Sequence, residues 1–222
     1  MKSIKKLTAL LLACLLVLCG CSSNNSKEEE ENEVVGGYAV NTEIKAMDVG
    51  DDAKKAFDEA NKDDLKLVAL FGTQVVAGTN YSFLCLKDNS FVVSIVFAGL
   101  DNTYEMTATK DFTLTDYVGN DNTVESVQLG GGWSIYEQSK PVLDDYTSEI
   151  MSKAIKGSED KYTPLAVLGT QVVSGTNYAV LAYSYDGTDE DAKLCVLTVY
   201  NDLDGNASVS NVYDLDLASF NE

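Results

Sequence analysis

Apolar positions along the chain fall into two successive sets with one order. In the first, Ala53, Ala56, Phe57 and Ala60 recur at i, i+3, i+4 and i+7 and predict one face of a helix over about 51–62. Asp51 and Asp52 favour its N-terminal end, where the helix dipole is positive. Apolar runs at 67–71, 81–86 and 91–97 follow, then a turn at 99–103 and a last strand over 104–117. In the second set, Leu143, Tyr146, Ile150 and Ala154 predict a helix introduced by Pro141 and stopped at Gly157. A hairpin over 165–183, a strand at 194–200, a turn at 201–206 and a strand at 209–217 complete it. Each set opens on glycines, Val34-Val35-Gly36-Gly37-Tyr38 and Gly130-Gly131-Gly132-Trp133. The expected class is α+β, with one helix set apart from antiparallel strands in each half.

One phrase occurs twice. Gly72-Thr73-Gln74-Val75-Val76-Ala77-Gly78-Thr79-Asn80-Tyr81 returns as Gly169-Thr170-Gln171-Val172-Val173-Ser174-Gly175-Thr176-Asn177-Tyr178, with only Ala77 against Ser174 changed. Apolar runs on both sides make each copy a β-hairpin with a short glycine-bounded loop. Val75-Val76 and Val172-Val173 stand where a turn ordinarily takes Asn, Asp or Gly. An apolar tip held out by two strands is suited to burial in another molecule.

The Gln-Val-Val-x-Gly phrase, its continuation Thr-Asn-Tyr and the element order resemble the cystatins, here in tandem over nearly all of residues 34–220. The resemblance implies two cystatin-like domains, each an antiparallel β-sheet wrapped around one α-helix. It also implies reversible inhibition of papain-like cysteine proteases, without a covalent step. The implied protease contacts are Val35, Gly36, Gly37, Gln74, Val75, Val76, Ala77 and Gly78 in the first unit. In the second they are Gly131, Gly132, Gln171, Val172, Val173, Ser174 and Gly175. The family's second hairpin carries a Pro-Trp pair; neither 99–103 nor 201–206 has one, and Leu100 and Leu203 stand there instead. The glycine segment of the second unit is joined to the first unit, which ranks the first as the better inhibitor. The alternative is a non-inhibitory cell-surface module for protein binding or adhesion.

Residues 1–20 have the form of a signal peptide: Lys2, Lys5 and Lys6, then an uncharged run over 7–18 that is too short to span a bilayer. Leu18-Cys19-Gly20-Cys21 resembles a bacterial lipoprotein cleavage box, which implies lipidation of Cys21 and anchoring on the outer face of the cytoplasmic membrane. Residues 21–33, rich in Ser, Asn and Glu, are expected to form a disordered acidic tether. The expected domains are 34–117 and 127–222, joined by a linker at 118–126. Without the three signal lysines, 13 basic residues face 35 acidic ones, a net charge of −22. That balance argues against nucleic acid and leaves the lipid as the sole attachment to the membrane. Cys85 and Cys195, each inside an apolar strand, read as buried free thiols.

The chain contains neither His nor Arg. Ser-His and Cys-His nucleophile pairs and His-ligated metals are therefore excluded within one chain, and no catalytic residue, cofactor or metal is assigned. Acidic residues over 186–191 and at Asp202 and Asp204 lack the twelve-residue calcium-loop pattern and read as polar turns. The expected product is a monomeric, exported, lipid-anchored inhibitor whose partner is a papain-like cysteine protease.

Overall fold

The computed structural model describes residues 38–39, 49–118, 132–135, 143–156, 158, 161–185 and 192–221. The signal, Cys21, the tether and most of the linker lie outside these residues. So do Val35, Gly36, Gly37, Gly131, Pro141, Gly157 and the acidic run 186–191.

The first half comprises β1 (Tyr38–Ala39), α1 (Asp51–Ala60), β2 (Lys66–Val76), β3 (Gly78–Lys87), β4 (Ser90–Gly99) and β5 (Tyr104–Phe112). The second comprises β6 (Ser134–Ile135), α2 (Asp145–Lys156), β7 (Lys161–Val173), β8 (Gly175–Tyr185), β9 (Lys193–Asn201) and β10 (Ala207–Asp214). Each half makes one antiparallel sheet, in the orders β1-β2-β3-β4-β5 and β10-β9-β8-β7-β6. Leu114–Asp116 and Leu217–Asn221 add 3-10 turns after the last strand of each sheet.

Side chains alternate between two destinations, as the pleat requires. Leu70, Phe83, Cys85, Val92 and Val96 pack with Ala53, Ala56, Phe57 and Ala60 of α1. Their neighbours Phe71, Leu84, Phe91 and Val93 join Leu168, Leu181, Tyr183 and Val196 of the other sheet in a single core. On the far side of the second sheet, Val167, Val180, Cys195 and Leu197 meet Ile150, Met151 and Ala154 of α2. The layers therefore run helix, sheet, sheet, helix, and the described residues form one compact unit.

This corrects the expected α+β class of two cystatin-like domains. The described residues are mostly β, ten strands in two sheets against two helices. Each sheet has one face on its own helix and the other on the partner sheet, so neither sheet is wrapped around a helix as a separate core. The physical reason is in the strands: residues 91–96 and 194–199 are buried without a break. Strands apolar on both faces need cover on both faces.

Smaller corrections follow the same physics. The last strand of the first half stops at Phe112, not at 117. Its continuation lies on the second sheet, Leu114 against Gly169 and the Val118 carbonyl accepting from the Thr198 hydroxyl. Helix α2 buries Thr147, Ile150, Met151 and Ala154, whereas Tyr146 is exposed and lies off the face assigned to it. Asp144 caps that helix, accepting from the Thr147 backbone N–H and hydroxyl at 2.8 Å each. Cys85 and Cys195 are free and buried, as expected.

Candidate functional site

The repeated phrase is the outer half of a long hairpin in both copies. Strand register runs to Val76 opposite Gly78 and to Val173 opposite Gly175, leaving Ala77 and Ser174 at the turns. Thr and Val in the phrase favour extended backbone, so pairing continues where a loop was expected. Register shifts next to Gly72 and Gly169 mark a bulge at the base of each tip.

Cross-strand partners close each tip. The Asn80 side-chain amide donates to Gln74 Oε1 at 2.9 Å, and Asn177 donates to Gln171 Oε1 at 2.9 Å. These pairs lie directly opposite in the ladders. Gly78 has φ +145° and Gly175 φ +127°, values that side chains with a Cβ rarely adopt. A Cβ on Gly78 would stand 2.4 Å from the Ala98 carbonyl oxygen; on Gly175 it would stand 2.4 Å from that of Asn201. The rings of Phe97 and Tyr200 pack against the same two glycines, and the Tyr200 hydroxyl donates to the Ser174 carbonyl.

With Gln, Asn and Gly accounted for by the construction of the hairpin, the valines remain. Val75 is 40% exposed, Val76 43% and Val172 68%, while Val173 is half-buried. Ala77 and Ser174 are exposed, and Gln74, Gln171 and Gly175 are half-buried.

A second turn stands beside each tip. Gly78 pairs with Gly99, so the turn joining β4 and β5 shares the edge with Val75 and Val76. Thr176 pairs with Asn201, which places the β9–β10 turn next to Val172 in the same way. Leu100 is 88% exposed and Leu203 83%, the two most exposed large apolar side chains among the described residues.

Both leucines sit on turns that are hydrogen-bonded internally. Asp101 Oδ1 accepts from the Thr103 hydroxyl at 2.6 Å and its N–H at 3.1 Å. Asp202 accepts from the N–H groups of Asp204 and Asn206 at 2.9 and 2.8 Å and from the Asn206 side-chain amide at 2.8 Å. The Thr103 hydroxyl bond holds the Asp101 carboxyl below the usual carboxylate range, and the Asn206 side chain does so for Asp202. Their contribution is present above that range and is lost as pH falls through the depressed values.

The third predicted segment is described in part. β1 begins with Tyr38 opposite Gln74, and in the other half Ser134 pairs with Thr170, two residues after an exposed Gly132. Sequence reading missed the parts played by Asn80, Asn177, Phe97 and Tyr200 as supports of the tips. Recurrence of Asn with Gln in the duplicated phrase was the available signal for the clasp.

Among the described residues, no group of three or more Cys, Asp or Glu side chains is placed to hold a metal ion. No helix among them is long and apolar enough to cross a membrane. The arrangement can bury apolar area against a partner through a preformed edge. No protein-family model matches the chain, and no curated protein matches its sequence at a significant level.

Proposed function

We propose that the protein is a reversible inhibitor of papain-like cysteine proteases, exported and anchored through a lipidated Cys21. The observation that carries this reading is the pairing of an exposed Val75-Val76 tip with an exposed Leu100 on one sheet edge, both on hydrogen-bonded turns. Such an edge loses little conformational entropy when it enters an apolar groove, and central apolar anchors supply most of the affinity at an interface. The resemblance of Gln-Val-Val-x-Gly to the cystatin loop gives the class of groove. Leu100 and Leu203 take the place of the absent Pro-Trp pair, with less apolar area than Trp brings.

A second reading, a non-inhibitory surface module for protein binding or adhesion, is favoured by one set of observations. Gln74, Gly78 and Asn80 are each explained by hairpin geometry, so their recurrence needs no protease. Exposure of both valine tips argues against a purely structural role for them, because packing between the repeats would have buried them. It suits both readings, and the papain assay separates the two. The test is a steady-state papain assay with the full chain, followed by dilution. Inhibition that reverses on dilution, with the chain recovered uncleaved, is expected. Unchanged papain activity at high micromolar chain turns the assignment to the surface module.

A further inference from the structure

The two valine edges belong to one compact unit, and the packing of its sheets sets where they point. In the first sheet the pairing runs eight steps from Gly99, at the tip level, to Phe91 opposite Phe112. At about 3.3 Å per residue, the end of that sheet lies roughly 26 Å from its tip. Leu114, just beyond, lies against Gly169: a Cβ on that glycine would be 2.6 Å from Leu114 Cδ2. The Thr198 hydroxyl, on the same level of the second sheet, donates to the Val118 carbonyl at 3.1 Å. Gly169 and Thr198 both pair with Ala179, four steps from Gly175 and so roughly 13 Å from the second tip.

The reverse contacts match. Phe220, beyond the far end of the second sheet, packs its ring 5.8 Å from that of Phe71 and 6.3 Å from that of Phe112, at the far end of the first sheet. Phe71 stands between the pairs Leu70 with Phe83 and Gly72 with Ser82, near the middle of that sheet. The Lys110 ammonium donates to the Ser219 carbonyl at 3.4 Å. The chain beyond the far end of each sheet thus reaches the middle of the other, at Gly169 and at Phe71. In sheets with both tips at one end, a shift that brought Leu114 to the level of Gly169 would carry Phe220 away from Phe71.

We infer that the two edges face opposite ends of the sandwich, roughly 40 Å apart, and that one chain holds two protease molecules at once. A globular partner of about 200 residues has a radius of gyration near 16 Å. Two such molecules approaching from opposite ends do not meet, and a single cleft does not reach both edges. The sites therefore bind without avidity on one protease and without mutual exclusion. This inference rests on the inhibitor reading, from which its test separates it.

The experiment measures the mass of the complex formed by the full chain with excess papain whose active-site thiol is S-methylated, by sedimentation equilibrium at tens of micromolar. Two papain molecules per chain are expected. A variant with Val75→Asp and Val76→Asp, and separately one with Val172→Asp and Val173→Asp, each retain one. A ceiling of one papain on the unaltered chain overturns the two-ended arrangement while leaving inhibition standing. Absence of any complex overturns the inhibitor reading and this inference with it. Circular dichroism of each variant against the unaltered chain shows that its loss of a papain is not a loss of fold.

Discussion

Asn80 and Gln74 face each other across the first hairpin, the Asn amide donating to Gln Oε1 at 2.9 Å, and Asn177 and Gln171 repeat the bond at the same distance. The clasp sits one pair below the valines and restricts the splay of the two strands at the tip. Asn80→Ala should therefore cost about 1 kcal/mol of stability, the usual net loss for a partly buried side-chain hydrogen bond. It should also speed dissociation from papain more than it slows association, since the free tip becomes less ordered. Urea unfolding and stopped-flow binding of the same variant check both halves of this expectation.

The glycine after the tip is a packing residue. Gly78→Ala introduces a Cβ facing the Ala98 carbonyl at 2.4 Å on backbone at φ +145°. Strain of this kind costs on the order of 1–3 kcal/mol, so the thermal midpoint should drop by several degrees in Gly78→Ala and likewise in Gly175→Ala. Loss of inhibition on mutating either glycine then reports a damaged hairpin as much as a lost contact. The exposed valines are the cleaner probes.

The shared core makes the two repeats one folding unit. Phe220→Ala removes a ring that touches Phe71 and Phe112 of the opposite repeat, and a buried Phe→Ala change typically costs 3–5 kcal/mol. Unfolding should remain a single transition, lowered for both repeats together. Trp133 packs against the same core and provides a fluorescence probe in the second half. Coincident fluorescence and far-ultraviolet dichroism curves are expected; two separated transitions would show independent repeats.

Burial pushes the thiols of Cys85 and Cys195 up to about 12, and desolvation does the same for the Tyr183 phenol. A group whose folded pKa is raised stabilises the fold fully below its unfolded value and loses that contribution as pH rises through the folded one. For the thiols that window runs from about 9 to about 12. Cys85 and Cys195 should resist a thiol-specific reagent at pH 8 in the folded chain and react once it is unfolded, and the fold should lose stability steadily over this alkaline range. Rapid labelling of Cys85 or Cys195 in the folded chain at pH 8, located by peptide mapping, would contradict the burial.

Much of the chain's organisation is legible in its sequence: the duplication, both hairpins, α1 with its Ala-Phe-Ala stripe, and the two buried cysteines. The sheet-on-sheet core was missed, although the runs 91–97 and 194–199 lack the polar alternation of a half-exposed strand. Such runs announce cover on both faces without naming what supplies it, and here it comes from the other repeat, roughly a hundred residues away. Tyr146 misled for a related reason. One helical position away, Thr147 has its hydroxyl bonded to Asp144, which lets a polar residue take the buried place. The cystatin resemblance already implies Leu100 and Leu203 on the second hairpin of the binding edge, and strand register sets those turns beside the valines.

The most direct test of the account is the inhibition constant of the full chain against papain, compared with a variant carrying Val75→Asp, Val76→Asp, Val172→Asp and Val173→Asp. Placing carboxylates in an apolar groove removes at least the ~2 kcal/mol of one interface hot spot, so the constant should rise by ~30-fold or more while the unfolding midpoint moves little. An inhibition constant unchanged by all four substitutions would place the contact elsewhere on the molecule and contradict the account.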